Sequence, residues 1–368
     1  MERVAPRARG WTRRAWLGCL PLSTVVARAQ TGQQFPSEKI RFADAATEFE
    51  VFRLTSPNSA SVLPAYYGRA ISGRGNVLLY ASDRTGSMQG FAMDPKAGIS
   101  RMLTQASDLD ASSLTLLPGD RDFCYLDGGA LWRGSLSGAR GREVYSVEEG
   151  YRRGTGLGIT VDGRQAFLVE AREGRSRLRM IVMGRGTATT ILEADGDLRD
   201  PMPRPRRAAV LYRTGDGGLG LVHMDGANNR RLKLAPGGLG PAQWSPDGRS
   251  VLYLLVPGKG LNSLREFFPD YNEDRLIAVT SQFAHFGCNG NGSVFVGASG
   301  SRASPYILLL VRVARRELTL CEHRATDPAQ VTPIFSPDSK TIYFQSDRDG
   351  RPSIYSMAVD RLVEPIET

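Results

Sequence analysis

Residues 335–357 read FSPDSKTIYFQSDRDGRPSIYSM. Ser336-Pro337-Asp338 is turn chemistry, and 341–345 is β-branched and aromatic, as strands prefer. Residues 347–350 make a second turn, and 353–357 alternate again. The unit is a turn, a strand, a hairpin and a strand. Six relatives precede it, in SGRGNVLLY, LPGDRDFCY, TVDGRQAFL, PRPRRAAVLY, SPDGRSVLY and NGNGSVFVG. Aligned on the residue five before the strand aromatic, they place Gly75, Asp120, Gly163, Arg207, Gly248, Gly292 and Ser339 in steps of 41 to 47 residues. A four-stranded propeller blade takes roughly 40 to 50 residues. Seven copies predict an all-β, seven-bladed β-propeller with four-stranded blades. A β-sandwich would not hold the period so evenly.

At 368 residues and 41% hydrophobic content the chain can bury the core of one large all-β domain. Its 41 glycines follow no short period, which excludes a collagenous chain. Arg3, Arg7, Arg9, Arg13 and Arg14 precede an apolar run over 15–27, and Ala27-Arg28-Ala29 offers small residues for cleavage. Residues 1–29 therefore read as an export signal peptide, and Arg13-Arg14 is of twin-arginine type, with an ordinary secretory signal as the alternative. The apolar run is too short to span a bilayer. The expected location is periplasmic or secreted.

Residues 1–29 hold six arginines and one glutamate, so the formal charge of +9 falls to about +4 without them. No nucleic-acid partner is expected. A mildly basic, arginine-rich surface suits an anionic ligand such as a polyuronate, because a guanidinium grips a carboxylate as a fork. Scattered, solvated arginines explain the same composition. Of Cys124, Cys288 and Cys321 at most one disulfide can form, with Cys288–Cys321 the favoured pair, and buried free thiols fit the sequence equally well.

Residues 30–47 are polar and without period, an extended lead-in, and 48–368 form the propeller. EVFRLT at 50–55 resembles an outer blade strand without a blade of its own. It is expected to close the ring by pairing with the last blade, removing an exposed sheet edge. Residues 257–272 read as the longest irregular insertion, with Phe267, Phe268 and Tyr271 as a loop cluster. The apolar run 307–313 is a buried strand, not a membrane span.

Only His223, His285 and His323 exist, none at metal-ligand spacing from another, so no sequence-local zinc site is present. No GxSxG elbow occurs.

RLTSP at 53–57, Tyr66-Tyr67, LLYASDRTG at 78–86 and MLT at 102–104 resemble the opening of the oligogalacturonate lyase family. So do AHFGCNGNGSVFVGASGS at 284–301, CEH at 321–323, QVTP at 330–333 and FSPDSKTIYFQSDRDG at 335–350. The resemblance covers nearly the whole chain after residue 29. It implies a seven-bladed propeller that cleaves short pectin fragments by β-elimination, with a manganese-type divalent cation in the central funnel acidifying the proton beside the uronate carboxylate. It also implies an arginine base in an Arg-Pro context, matched by Arg204-Pro205.

The departures are at the metal. The family's histidine before the blade-five tryptophan falls in Pro241-Ala242-Gln243, and its Gln-x-x-His-x-His cluster in 327–333, so all three ligand histidines are replaced. Asp327 and Gln330 still offer oxygens. The candidate site residues are thus Arg204 as base and His285, Gln330, Asp327 and Tyr66 as saccharide contacts, with no metal ligand assigned. His285 and His323 read equally as structural histidines, Arg204 as part of a solvated arginine face, and Gln330 as a turn cap. Two functional readings follow. One is an exported propeller that binds and cleaves an anionic oligosaccharide; the other is an inactive propeller serving as a saccharide-binding or protein-interaction scaffold for a periplasmic partner.

Overall fold

The seven repeats become seven sheets because each carries the same turn. The carbonyls of Ser72, Leu117, Thr160, Arg204, Ser245, Asn289 and Ser336 accept from the N–H groups of Gly75, Asp120, Gly163, Arg207, Gly248, Gly292 and Ser339. Six of these donors lie in the left-handed region; in blade four that conformation falls one residue earlier, on Arg206. The computed structural model describes residues 2, 30–138, 141–280 and 282–363. The export segment expected over 1–29 lies, but for Glu2, outside the described residues.

Each blade is an antiparallel sheet whose strands follow in sequence from the axis outward, with inner strands Ser61–Val62, Thr115–Leu116, Arg152–Ile159, Leu198–Pro203, Gly238–Trp244, Phe283–Cys288 and Ile334–Phe335. Strand residues face alternate sides, so every blade packs against both neighbours. Phe123 and Tyr125 of blade two pack on Leu79 and Ala81 of blade one, while Cys124 and Leu126 pack on Leu157 and Leu168 of blade three. The remaining apolar clusters likewise sit between adjacent blades, including the one joining blade seven to blade one through Tyr343, Ile354, Tyr80 and Phe91.

The ring closes as the sequence predicts. Glu50–Arg53 pairs antiparallel with Ser353–Ala358 and becomes the fourth strand of blade seven. The lead-in is more than extended chain. Ile40–Ala43 adds a fifth strand outside Glu50–Arg53, and Gln34–Phe35 adds a fifth strand to blade one beside Ser100–Met102. Residues 34–53 therefore strap the first blade to the last.

Two expectations are corrected. The insertion at 257–272 contains a regular strand, Ser263–Phe268, the third of blade five. Its charges are held within the fold: Arg265 pairs with Asp274 at 2.8 Å, and Glu266 accepts from the Ser250 hydroxyl and pairs with Arg312. Phe267 is core and Tyr271 is exposed. The Cys288–Cys321 disulfide does not form, and Cys124, Cys288 and Cys321 are free thiols. Cys288 ends the innermost strand of blade six and Cys321 lies on its outermost. Three strand spacings separate them by roughly 14 Å, about twice the reach of a disulfide. No helix among the described residues is long and apolar enough to cross a membrane.

Candidate functional site

The inner strands of four successive blades break register at the same level of the axis: between Arg153 and Leu157, Arg199 and Met202, Leu239 and Ala242, and Phe283 and His285. Bulges re-aim side chains and cluster next to functional sites. Here they bring Gly156, Asp200, Gly240 and His285 to a common height. Prolines account for two of them, since Pro201 and Pro241 have no N–H to give the ladder.

Blade one supplies the fifth component. Its chain leaves the sheet after Ser61–Val62 and sends Tyr66 and Tyr67 across the axis. The Tyr66 hydroxyl donates to the Ala242 carbonyl at 2.9 Å and accepts from the Ala242 N–H at 3.1 Å. Its ring meets the His285 ring edge to face at 4.6 Å. The Tyr67 hydroxyl donates to Asp200 Oδ1 at 3.1 Å, and the Arg213 guanidinium lies 3.7 Å from Asp200 Oδ2 while donating to the Gly240 carbonyl at 2.7 Å. Asp200 holds φ +49° and Gly156 φ +90°. A Cβ on Gly156 would come within 2.8 Å of the Tyr67 hydroxyl, so only glycine lets blade three approach so closely. A non-glycine residue held left-handed within a half-buried ion pair is the kind of strain that functional sites store.

Burial shifts the titration of each of these groups. It raises the Asp200 carboxyl, against the opposing pull of Arg213. It raises Tyr66, and it lifts Tyr67 well above its ordinary value with help from the Asp200 charge. Burial pushes the His285 imidazole down to about 3, and His285 Nδ1 has no hydrogen-bond partner. A histidine disfavoured as a cation in the fold protonates more readily unfolded, so its contribution is full above pH 6.5 and is lost as pH falls towards 3. His323 is shifted the same way by burial. His285→Gln is therefore expected to flatten the fall in melting temperature between these limits without abolishing it. An unchanged slope would remove His285 from the account.

The structure unites Tyr66 and His285, while Arg204, Asp327 and Gln330 take no part in these contacts. Arg204 is 5% exposed. Its Nε donates to the Gly248 carbonyl at 2.7 Å, its two Nη atoms grip Asp270 at 2.8 and 2.7 Å, and its guanidinium lies 5.0 Å from the Trp244 ring. The fork that would serve as base is committed to blade five. Asp327 is exposed and caps the short helix Pro328–Gln330, accepting from the Ala329 N–H. Gln330 is exposed, and its carbonyl accepts from Gln345 Nε2. Asp200 and Arg213, on neighbouring strands of blade four, escaped the sequence reading because the groups they meet at the axis, Tyr67 and Gly240, lie on other blades; the Asp200-Pro201 step inside a strand was the available signal.

The residues present do not fit the manganese-type cation that the resemblance implies. Among the described residues no group of three or more His, Cys, Asp or Glu side chains could hold a metal. At the blade-five ligand position both backbone groups of Ala242 are taken by Tyr66, and Asp327 spends an oxygen on its cap. What is left is one neutral imidazole, the Gln330 amide and the second Asp327 oxygen, too small a donor set for a divalent cation.

Cavities lie at the two ends of the axis. One, about 250 Å³, has Arg152, Arg153 and Arg199 with Asp110 and Asp197 as its charged lining; Arg153 is tied to Asp110 at 2.6 Å. The other, about 540 Å³, is lined by Tyr66, Tyr67, Leu157, Met202 and Trp244. The strand Arg152–Ile159 passes from the first to the second, with the tyrosine plug between them.

No family model matches the chain. It is 24% identical over 379 residues to the oligogalacturonide lyase of Pectobacterium atrosepticum, covering 88% of this chain and 97% of that protein. It is 24% identical to the oligogalacturonate lyase of Dickeya dadantii, covering 85% and 94%. Among solved structures it superposes on an oligogalacturonate lyase in complex with manganese with a TM-score of 0.85 at 22% identity, covering 90% and 98%. The oligogalacturonate lyase from Vibrio parahaemolyticus gives 0.83 at 22% identity, covering 90% and 99%. The chain is related at a distance to the oligogalacturonate lyases along most of its length and shares their propeller.

Proposed function

We propose that this chain is an exported propeller that binds oligogalacturonides at the arginine-lined end of its axis without a divalent metal. The observation that carries the reading is the charge at that end. Arg152 and Arg199 are exposed and make no ion pair among the described residues, beside the Arg153–Asp110 pair. Free guanidinium forks are what a uronate carboxylate requires. The distant kinship to lyases that act on such saccharides supports the ligand class, and the misfit at the metal separates binding from metal-assisted elimination. The arginine pair at Arg13-Arg14 supports export.

Calorimetry with oligogalacturonides, in EDTA and in manganese, tests it. The expected result is one affinity in both, weakened at least tenfold by the double variant Arg152→Ala/Arg199→Ala and by raised salt, with no unsaturated product in absorbance. The chain is expected in periplasmic extract, and in the cytoplasm when Arg13 and Arg14 are both lysine. Manganese-dependent formation of unsaturated product, or no binding in either buffer, would overturn the reading.

A further inference from the structure

The cavity at the opposite end of the axis differs in chemistry from the arginine-lined one. It measures about 540 Å³, and the one formally charged residue in its wall is Arg69. That guanidinium is already paired, donating to Asp120 Oδ1 at 2.7 Å and to the Leu117 carbonyl at 3.0 Å. The wall is otherwise aromatic, aliphatic and glycine, apart from Gln243 and the hydroxyls of Thr115, Thr160 and Ser245, which are engaged by the Arg69 N–H, Asp162 and Asp247. Tyr66 and Tyr67 stand edge to face with centroids 5.2 Å apart, and their hydroxyls are engaged by Ala242 and Asp200. The Trp244 indole N–H is engaged by the Met202 carbonyl. The wall therefore presents aromatic surface whose polar ends are already satisfied.

Gln243 is the exception. It is 9% exposed, it lines the cavity, and its amide makes one weak contact, from Nε2 to Cys288 Sγ at 3.9 Å. A side-chain amide has two donors and an acceptor with two lone pairs to satisfy, and a buried polar group left unpaired is costly. An aromatic wall with one open amide selects its ligand by exclusion. A carboxylate would be desolvated there with no free countercharge. A purely apolar ring would leave the amide unpaired. A neutral pyranose meets both demands, with its C–H face against the aromatic rings and its ring hydroxyls on the amide.

We infer that this cavity is a second saccharide site, for an uncharged pyranoside, with Gln243 as its hydrogen-bonding residue and Trp244 and the two tyrosines as its apolar wall. The inference does not depend on the oligogalacturonide reading, which concerns the other end of the axis.

Saturation-transfer NMR on the full chain with methyl β-galactoside as probe tests it. The wild-type chain is expected to transfer saturation to the ring C–H protons at millimolar sugar. Gln243→Leu, close in volume, is expected to weaken binding about tenfold. Val161→Trp is a second variant at a wall residue 67% exposed at the mouth. It is expected to block the sugar while leaving the melting temperature and oligogalacturonide affinity unchanged. No transfer from the wild-type chain overturns the inference, as does transfer that survives both substitutions in folded protein. If oligogalacturonide binding fails while the pyranoside result stands, only the reading of the other site falls.

Discussion

Deleting residues 48–57 is expected to lower the melting temperature by about 10 °C or more and to make the chain self-associate. Val51 and Leu54 have no exposed surface, Val51 packing into the blade-six to blade-seven cluster and Leu54 into the blade-seven to blade-one cluster. Burial of each is worth about 1.5–3 kcal/mol, and in a domain this large each kcal/mol moves the midpoint by roughly 2–4 °C. The Leu54 N–H donates to the Ile354 carbonyl at 2.7 Å, and the Thr55 hydroxyl accepts from the Ile354 N–H at 2.9 Å. Arg53 reaches Asp349 at 2.9 Å, and Asp349 also accepts from the Tyr355 hydroxyl. Removing the strand strips one edge of Ser353–Ala358, and an unpaired edge is a template for a second chain. Val51→Asp, which buries a charge without a partner, should reproduce the loss of stability with every backbone bond retained. A deletion that melts at the wild-type temperature would show that the ring closes by other means.

The architecture was legible because it is periodic. A turn whose N–H returns to a carbonyl three residues earlier recurs through the chain, and its side-chain chemistry survives in the sequence even where glycine is replaced by Asp120 or Ser339. The axial site was legible only in part. Tyr66 and His285, expected as saccharide contacts, meet each other across the axis, whereas the groups that Tyr66 and Tyr67 bond come from blades five and four, and pairings over such separations leave no local pattern. The two corrections share one cause. Cys288 and Cys321 both lie in the last third of the chain but occupy opposite edges of a single sheet. Residues 257–272 read as an irregular insertion, whereas the strand within them is held by charged partners beyond that range, Arg265 by Asp274 of the next strand and Glu266 by Arg312 of the neighbouring blade. One-dimensional distance misleads in a propeller, where strand spacing governs proximity.

Arg204 shows the same effect in a single residue, and its substitution should separate a structural role from a catalytic one. Its Arg-Pro context resembles a lyase base, yet its partner Asp270 lies 66 residues away along the chain and on the next blade. Arg204→Ala leaves the Gly248 and Arg249 carbonyls without this donor, opens space against Trp244, and leaves Asp270 with only the longer contact to Arg207 at 3.4 Å. The loss is expected to be on the order of 3 kcal/mol, as for one member of a largely buried pair. Arg204→Lys should recover little, because an ammonium cannot span a carboxylate fork and two carbonyls together. The pH dependence carries a sign. The Arg204 guanidinium holds the Asp270 carboxyl below its ordinary 3.8, so the pairing contributes fully above that value and is lost as pH falls through the depressed one. The stability gap between the wild type and Arg204→Ala should be constant near neutrality and close below pH 3.8. Oligogalacturonide affinity of the folded variant should match that of the wild type, since the fork faces blade five and not the arginine-lined mouth. A variant that melts normally but loses a turnover found in the wild type would restore Arg204 as the base and require its fork to leave Asp270 when the saccharide binds.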